Sequence, residues 1–408
     1  MRVLFLSLAL GLKLAHCADP AELSDNSICI GLGIYPLSPY RRSLPLASPY
    51  GAATNSTPIF LPYYSSEPLP ASTATTAAIF IHGLSGNANT YFCEGLAASL
   101  AHPSVLVLAP WFGNEASGES YWGGGSGPGQ SLFWSNSRWS TGGTNTAPPR
   151  GWSTSFDLLD ALLRALPTSV KLVSVIGFSA GAQLSGRYAF ATPLGSAADA
   201  FKPHVRFFAG AAGSYLYLAP ERPAPSCSPL RDTGPAHTCG AFVVPSTACA
   251  AYNDYKYGLQ QLDYLNLYLA PLASNATARQ EAVARFATKD LRLFLGSEDV
   301  CNCNAEGFVL PQGGECAPEG GRLQCAPDAF GGPGCCDTFP DSTSDNALDA
   351  TCAGMLQGSN RLQRGLNFAA HLAAVLPGHT PQVYTGAYGH NCSGMYASEA
   401  FKALAYAL

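Results

Sequence analysis

The chain has 408 residues, of which 12% are charged and 47% are hydrophobic, and its formal net charge is −5. A chain of this length and apolar content buries a large core, which excludes disorder for most of it. The mildly acidic balance, without a basic block, argues against nucleic acid or an anionic membrane as the main partner.

The first 17 residues have the pattern of a secretory signal peptide. Arg2 supplies a positive charge, the apolar run 3–12 follows, and the small residues Ala15 and Cys17 precede a predicted cleavage near Ala18. The alternative interpretation is a buried N-terminal helix. The run is shorter than the about 20 residues that a membrane-spanning helix requires, and no later segment is long enough. We therefore expect a secreted protein without a transmembrane segment.

Beyond the leader, the chain divides into two parts. Residues 18–75 are rich in Pro, Ser and Thr, and we expect an extended arm followed by early strands. From residue 76 to 408, apolar runs alternate with segments of helical periodicity. The predicted strands are 77–81, 105–109, 171–176, 205–209, 291–295 and 382–385, and the predicted helices are 90–100, 155–166 and 181–191.

Fully apolar strands that are separated by helices favour a mostly parallel central sheet flanked by helices on both faces, which is an α/β fold. Ligands in such folds bind at the carboxyl ends of the strands. We therefore look for chemistry in the segments that directly follow the predicted strands.

A candidate nucleophile follows the strand 171–176. The sequence Gly177-Phe178-Ser179-Ala180-Gly181 is a G-x-S-x-G motif, and it stands between a predicted strand and a predicted helix. Small neighbours suit a tight turn that projects the serine hydroxyl away from the backbone. The alternative is a structural serine in a glycine-rich turn. We predict that Ser179 is the nucleophile of a serine hydrolase.

The two partners that a serine nucleophile needs occur in the expected chain order. Asp299 follows the strand 291–295, and His390 follows the strand 382–385. The order Ser, acid, His is that of the α/β-hydrolase fold. Glu298 is the alternative acid. His371 and His379 are alternative bases, but neither follows a predicted strand.

Two backbone amides are predicted to bind the oxyanion of the tetrahedral intermediate. The amide of Ala180 lies at a predicted helix N-terminus, and that of Leu84 follows His82-Gly83 after the strand 77–81. We expect His82 itself to be structural.

Aromatic residues and acidic residues suggest two further sites. All five tryptophans follow the strand 105–109, and Trp111, Trp122 and Trp134 are candidates for lining a substrate cleft. The alternative is that they pack a long loop against the sheet. The spacing of Asp341, Asp345 and Asp349 is compatible with a calcium loop, but a solvated turn is the preferred interpretation.

The cysteines agree with secretion. Of the 14 cysteines, seven lie between 301 and 352, which in a secreted chain predicts a disulfide framework of undetermined connectivity. The 13 that remain after cleavage leave one thiol free or paired outside the chain, unless cleavage occurs one residue away. No C-x-x-C pair occurs, so zinc is disfavoured and no metal is expected. Sequons at Asn55, Asn275 and Asn391 predict a glycoprotein in a eukaryotic host, although Asn391 adjoins His390 and Cys392.

Taken together, these motifs resemble the α/β-hydrolase superfamily over roughly residues 77–408 and, more narrowly, a group of poorly characterised secreted hydrolases. The resemblance extends over 79–84, 177–183, 187–189, 214–218, 222–223, 252–259, 348–352, 357–361 and 364–365. That group often has His before the serine, where this chain has Phe178. The Cys-rich stretch of about 301–352 is a departure that resembles an insertion near the C-terminal third.

The resemblance implies an α/β-hydrolase fold and hydrolysis of a carboxylic ester, small or polymeric, through a Ser-His-Asp triad without a cofactor. Somewhat similar folds include polyhydroxybutyrate depolymerases and feruloyl esterases. Two alternatives stay open, a non-catalytic hydrolase-like binding protein and a serine peptidase on the same fold. The sequence gives no indication of the acyl group, the alcohol or the oligomeric state.

Overall fold

Buried apolar strands lie between α-helices in the computed structural model, which describes residues 27–50, 59–114, 130–146, 150–195, 199–224, 240–245, 249–299, 317–319, 322–324, 349, 351–358, 360–379 and 381–407. The predicted signal peptide, Asn55, Trp122, Asp341, Asp345 and most of the Cys-rich stretch lie outside these residues. Among the residues that are described, no helix is long and apolar enough to cross a membrane.

Fifteen strands and ten α-helices occur in this part of the chain. The strands are β1 (Arg41–Pro45), β2 (Ile59–Ser65), β3 (Thr76–Ile81), β4 (Val105–Pro110), β5 (Gly113–Asn114), β6 (Gln130–Ser131), β7 (Phe133–Trp134), β8 (Leu172–Phe178), β9 (His204–Gly210), β10 (Arg222–Pro223), β11 (Phe242–Val243), β12 (Asp290–Gly296), β13 (Ala317–Glu319), β14 (Arg322–Gln324) and β15 (Gln382–Gly386). The helices are α1 (Ser27–Gly31), α2 (Ala88–Ser99), α3 (Ser155–Arg164), α4 (Ala180–Ala191), α5 (Ala270–Ser274), α6 (Ala276–Phe286), α7 (Cys352–Met355), α8 (Arg361–Val375), α9 (Cys392–Ala397) and α10 (Glu399–Tyr406).

The central sheet has the strand order β1-β2-β4-β3-β8-β9-β12-β15, with β6 also paired to β2. The pairs β1–β2 and β2–β4 are antiparallel. From β4 to β15 every neighbouring pair is parallel. The predicted strands are all present, and the mostly parallel sheet that the sequence predicts is confirmed.

Helices cover both faces of this sheet, as the apolar strands require. Every residue of β3 is buried, and its side chains alternate between two hydrophobic clusters: Ala77, Ile79 and Ile81 in one, Ala78 and Phe80 in the other. The first cluster includes residues of α3, α4, α6 and α8, and the second includes residues of α2, α9 and α10. The period-2 alternation of a strand explains how one run of apolar residues serves two cores.

Local signals set the ends of the helices. Thr154 and Asp157 form a reciprocal capping box at the start of α3, and the Asn360 side chain accepts from Gln363 N at the start of α8. The predicted helices 90–100, 155–166 and 181–191 correspond to α2, α3 and α4, with ends that differ by one or two residues. These ends depend on such caps rather than on apolar periodicity.

Disulfide bonds connect segments around the sheet. Cys29 in α1 pairs with Cys93 in α2, and Cys249 pairs with Cys352 in α7. Cys392, two residues after His390, is also disulfide-bonded. The predicted disulfide framework is therefore confirmed for these cysteines.

Candidate active site

Ser179 lies at the turn between β8 and α4, in a backbone conformation that few non-glycine residues adopt. Its φ is +56° and its ψ is −116°, and its amide donates to Gly210 O at 2.8 Å. A Cβ on Gly177 would lie 2.0 Å from Gly181 O, and a Cβ on Gly181 would lie 2.3 Å from Ile81 O. The G-x-S-x-G pattern is thus required by close backbone packing on both sides of the serine.

The structure brings the three predicted catalytic residues together. His390 Nε2 lies 3.0 Å from Ser179 Oγ, and His390 Nδ1 lies 2.9 Å from Asp299 Oδ2. These contacts join residues that are 211 and 91 positions apart in the sequence. The separations are within the range of hydrogen bonds, so a proton can pass from the serine hydroxyl to the imidazole.

The loops that carry the acid and the base are joined to each other. Ser297 N donates to Gly386 O at 2.8 Å, and Glu298 N donates to Tyr388 O at 3.2 Å. These bonds extend the pairing of β12 and β15 beyond the ends of both strands. Asp299 and His390 therefore hold a fixed separation.

The alternatives to Asp299 and His390 lie elsewhere. Glu298 is exposed, whereas Asp299 is only 1% exposed. His371 is buried in α8, and its Nε2 accepts a hydrogen bond from Leu218 N at 3.1 Å. His379 follows α8 and contacts the ring of Phe286.

The charge state of this group suits proton abstraction. Burial lowers the pKa of His390, and Arg361 lowers it further, which together outweigh the opposite effect of Asp299. Burial by itself raises the pKa of Asp299, but His390 and Arg361 outweigh it and hold that pKa below its ordinary value. At neutral pH the imidazole is therefore neutral and the carboxylate is ionised, and the carboxylate accepts the Nδ1 proton.

The segment after β3 packs against the start of α4, where the oxyanion is predicted to bind. A Cβ on Gly181 would also meet His82 O at 2.8 Å, so the two segments are in direct contact. Ala180 is the first residue of α4, and its amide has no partner within the helix ladder. Leu84 is half-buried in the same loop. The oxyanion role of both amides stays a prediction.

His82 uses both ring nitrogens within the protein. Its Nδ1 lies 2.7 Å from Gly83 O, and its Nε2 accepts from Phe112 N at 3.0 Å. The ring packs edge-on against Trp139, and burial lowers the pKa of His82 to about 4. A neutral imidazole that joins two loops is the structural role that the sequence analysis expects for this residue.

The described tryptophans are buried in both hydrophobic clusters, Trp111 in the one and Trp134, Trp139 and Trp152 in the other. Trp111 is 1% exposed and Trp134 is fully buried, where its indole N–H donates to Gly143 O at 2.7 Å. Phe112 stacks on Trp139 and packs edge-on against Trp134. This burial agrees with the packing alternative, and substrate contact by Trp111 or Trp134 stays a prediction without an exposed ring face to support it.

Two neighbours of the site had no role in the sequence analysis beyond their place in the family motifs. Arg361 lies behind Asp299, with Nη1 3.7 Å from Oδ1. The ring of Phe178 packs against the imidazole of His390, with centroids 4.9 Å apart.

Asp349, a candidate calcium ligand, accepts instead from Tyr257 Oη and pairs with Lys256 Nζ at 2.8 Å. In the described part of the chain, no group of three or more His, Cys, Asp or Glu is arranged to hold a metal ion.

A mostly parallel sheet with a serine on a strand-to-helix elbow, and with acid and histidine after later strands, is the arrangement of the α/β-hydrolase fold. The α/β-hydrolase fold expected from the sequence is therefore confirmed.

Comparison with known proteins finds matches among solved structures. No family model matches the chain, and no curated protein matches it. It is similar to poly(aspartic acid) hydrolase-1 from Sphingomonas sp. KT-1, with 18% identity and a TM-score of 0.48 over 90% of this chain and 98% of that chain. A poly(3-hydroxybutyrate) depolymerase from Bordetella parapertussis has 17% identity and a TM-score of 0.46, over 89% of each chain. The siderophore hydrolase EstB from Aspergillus nidulans has 11% identity and a TM-score of 0.35, over 90% of this chain and 95% of that chain.

Proposed function

We propose that this chain is a secreted serine hydrolase that cleaves a carboxylic ester through Ser179, His390 and Asp299. The observation that carries the proposal is the unbroken hydrogen-bonded series from Ser179 Oγ through both ring nitrogens of His390 to Asp299 Oδ2. A serine hydroxyl is a weak nucleophile until a base removes its proton, and that base requires a carboxylate to fix its tautomer.

In the proposed mechanism, Ser179 Oγ attacks the ester carbonyl carbon while His390 Nε2 takes the hydroxyl proton. The amides of Ala180 and Leu84 donate to the oxyanion that forms. His390 then gives its proton to the leaving alcohol, and the acyl group stays on Ser179. Water attacks this acyl-enzyme with His390 again as base, which releases the acid and restores the serine. No cofactor takes part in these steps.

Secretion is part of the same proposal. It is supported by the disulfide bonds Cys29–Cys93 and Cys249–Cys352, because disulfides persist in oxidising compartments. The leader at residues 1–17 and the exposed sequon at Asn275 fit a secretory route.

The substitution Ser179→Ala tests the nucleophile. We expect it to lower kcat for p-nitrophenyl acetate by at least about 10⁴-fold and to leave thermal unfolding nearly unchanged, because it removes one oxygen atom. Labelling by a fluorophosphonate probe should disappear with it. Activity that survives this substitution would exclude Ser179 as the nucleophile.

A substrate panel then separates the alternatives. It should contain p-nitrophenyl esters of increasing acyl length, feruloyl and acetyl-sugar esters, oligomers of 3-hydroxybutyrate and a peptide amide. Faster turnover of the esters than of the peptide amide supports the proposal. Preference for the amide would indicate a peptidase, and a wild-type protein that neither turns over nor reacts with the probe would indicate a binding protein.

A further inference from the structure

Asp299 has a charged neighbour besides the neutral imidazole of His390. Its Oδ2 faces the imidazole at 2.9 Å, and its Oδ1 faces Arg361 Nη1 at 3.7 Å. The exposed fraction of the side chain is 1% for Asp299 and 4% for Arg361. Two opposite charges this deeply buried interact more strongly than the same charges would in water. Removing one of these two charges would leave the other buried without an opposite charge beside it.

The start of α8 is built onto Asp299. Arg361 is the first residue of this helix, and the next amide, Leu362 N, donates to Asp299 O at 3.2 Å. The N-terminus of a helix carries a partial positive charge, which favours an anion beside it. The guanidinium and the helix end therefore act on the carboxylate in the same direction.

Contacts with the rest of the protein fix α8 in this position. The guanidinium of Arg364, one turn after Arg361, donates to the carbonyls of Gly358, Gly213 and Asp349. Gln357 exchanges two hydrogen bonds with the backbone of Tyr215, at 2.8 and 2.7 Å. These bonds tie α8 and the segment before it to the loop after β9, so Arg361 is held in place by more than the bond from Leu362 N to Asp299 O.

We propose that Arg361 is a positioning residue that keeps the Asp299 carboxylate ionised and turned toward His390, and that thereby sets the pH range in which His390 acts as base. This inference rests on the proposed function. Arg361 acts on His390 through the Asp299 carboxylate and through its own charge.

Among the residues that the structure describes, the charged and titratable groups around this pair are His390, Tyr215, Tyr388 and Arg364, which lies one turn along α8 from Arg361. Asp299 and Arg361 act on His390, and Tyr215 and Tyr388 face Asp299 from the loops after β9 and β15. Burial keeps both tyrosines neutral by raising their pKa values. Loss of the Arg361 charge raises the pKa of His390, because it removes a cation beside a group that becomes cationic.

The test compares the pH profile of kcat/KM for Arg361→Gln and Arg361→Lys with that of the wild type, using p-nitrophenyl acetate. For Arg361→Gln we expect the acidic limb to move to higher pH by about one unit and kcat to fall by about tenfold, as is usual when a close charge is lost. For Arg361→Lys we expect a smaller displacement in the same direction, because the ammonium keeps the charge but does not reach Oδ1 as closely.

Arg364→Gln is the matched control. It removes a buried guanidinium of the same helix, and we expect it to lower the melting temperature without moving the acidic limb. Limbs that coincide for wild type, Arg361→Gln and Arg361→Lys would overturn the proposal. If Arg361→Gln does not fold, the pH profile of kcat/KM for Arg361→Lys tests the inference alone. An acidic limb at the same pH as in the wild type would then overturn it. Inactive wild-type protein, or an active Ser179→Ala variant, would instead overturn the proposed function.

Discussion

Ser179 can adopt its positive φ because Gly177 and Gly181, two residues before and after it, lack side chains and allow close backbone packing. Gly177 packs against the carbonyl of Gly181, and Gly181 packs against the carbonyls of Ile81 and His82. The loop after β3 can therefore approach the start of α4 closely, and the Leu84 and Ala180 amides lie in these two adjoining segments. The glycines thus serve the predicted oxyanion site as well as the nucleophile.

A pair of glycine substitutions within α4 tests this packing. Gly181→Ala places a Cβ 2.3 Å from Ile81 O, and we expect it to destabilise the protein by about 2–4 kcal/mol, since backbone atoms must move. Gly186→Ala, in the same helix, meets no atom within 4 Å and should stabilise it by up to about 1 kcal/mol. Urea unfolding of both variants measures the difference. Equal effects of the two substitutions would contradict the packing argument.

The lowered pKa of His390 predicts the pH at which the wild-type enzyme loses activity on acidification. Because burial and Arg361 lower this pKa, the base stays neutral below the ordinary histidine value of about 6.5. We expect the acidic limb of kcat/KM to lie below pH 6.5 and activity to be lost only as the pH falls through it. Initial rates with p-nitrophenyl acetate between pH 4 and 8 measure the limb. A limb at or above pH 6.5 would be contrary to this prediction.

At the scale of elements, a buried contact links the helix after the Leu84 loop with the helix after His390. Ser393 in α9 donates to the Glu94 carboxyl in α2, and both side chains are buried. Burial raises the pKa of Glu94 from its ordinary value of 4.5 to about 7, which outweighs the opposite effect of the Ser393 hydroxyl. This carboxyl therefore favours its neutral form in the folded protein.

The raised pKa has a consequence for stability. Below pH 4.5 Glu94 is protonated in both folded and unfolded chains and imposes no penalty, whereas between pH 4.5 and 7 the unfolded chain loses this proton first, so stability falls as the pH rises. We expect Glu94→Gln to be more stable than wild type by about 1–3 kcal/mol at pH 8 and by much less at pH 4.5. Urea titrations at both pH values measure the gap, with Glu399→Gln on the exposed surface of α10 as control. A stability difference between Glu94→Gln and wild type that is the same at both pH values would contradict this prediction.

The order of the parallel strands β3, β4, β8, β9, β12 and β15 and of the helices α2, α3 and α4 was predictable from the sequence, because fully apolar strands and helical periodicity give strong signals. The positions of Ser179, Asp299 and His390 were also predictable, since each follows a strand of a parallel sheet. The proximity of Arg361 to Asp299 was not predictable, because Arg361 lies at the start of a helix and the contact depends on how α8 packs. The burial of Trp111 and Trp134 was left open for the same reason, as spacing does not show which face of a loop meets the sheet.

At the scale of the whole molecule, long irregular loops are held by buried arginines and by disulfides. Arg187 donates to Lys256 O and to Ser214 Oγ, and Arg222 donates to the carbonyls of Tyr252 and Tyr257. Five donors on one guanidinium can satisfy several backbone carbonyls that no strand or helix pairs. The loops at the carboxyl edge of the sheet thereby keep a defined shape without regular secondary structure.

The disulfides Cys29–Cys93 and Cys249–Cys352 should contribute similarly to stability. Cys29–Cys93 closes a segment of 64 residues and Cys249–Cys352 one of 103, and the entropy of loop closure depends only logarithmically on length. We expect Cys29→Ala/Cys93→Ala and Cys249→Ala/Cys352→Ala each to cost about 2–5 kcal/mol and to differ by less than about 1 kcal/mol. Urea unfolding under oxidising conditions measures both. A difference of several kcal/mol would show that loop entropy is not the main contribution.

The hydrogen bond between Ser179 and His390 spans 211 positions of the sequence. A ribosome makes the chain from the N-terminus, so the hydroxyl is synthesised long before the imidazole that lies next to it in the finished sheet. Throughout that interval a nascent chain lacks His390, and β15, at the edge of the sheet, is made after every other described strand. Any hydrolysis by Ser179 that uses His390 as its base therefore begins only after translation has passed residue 390.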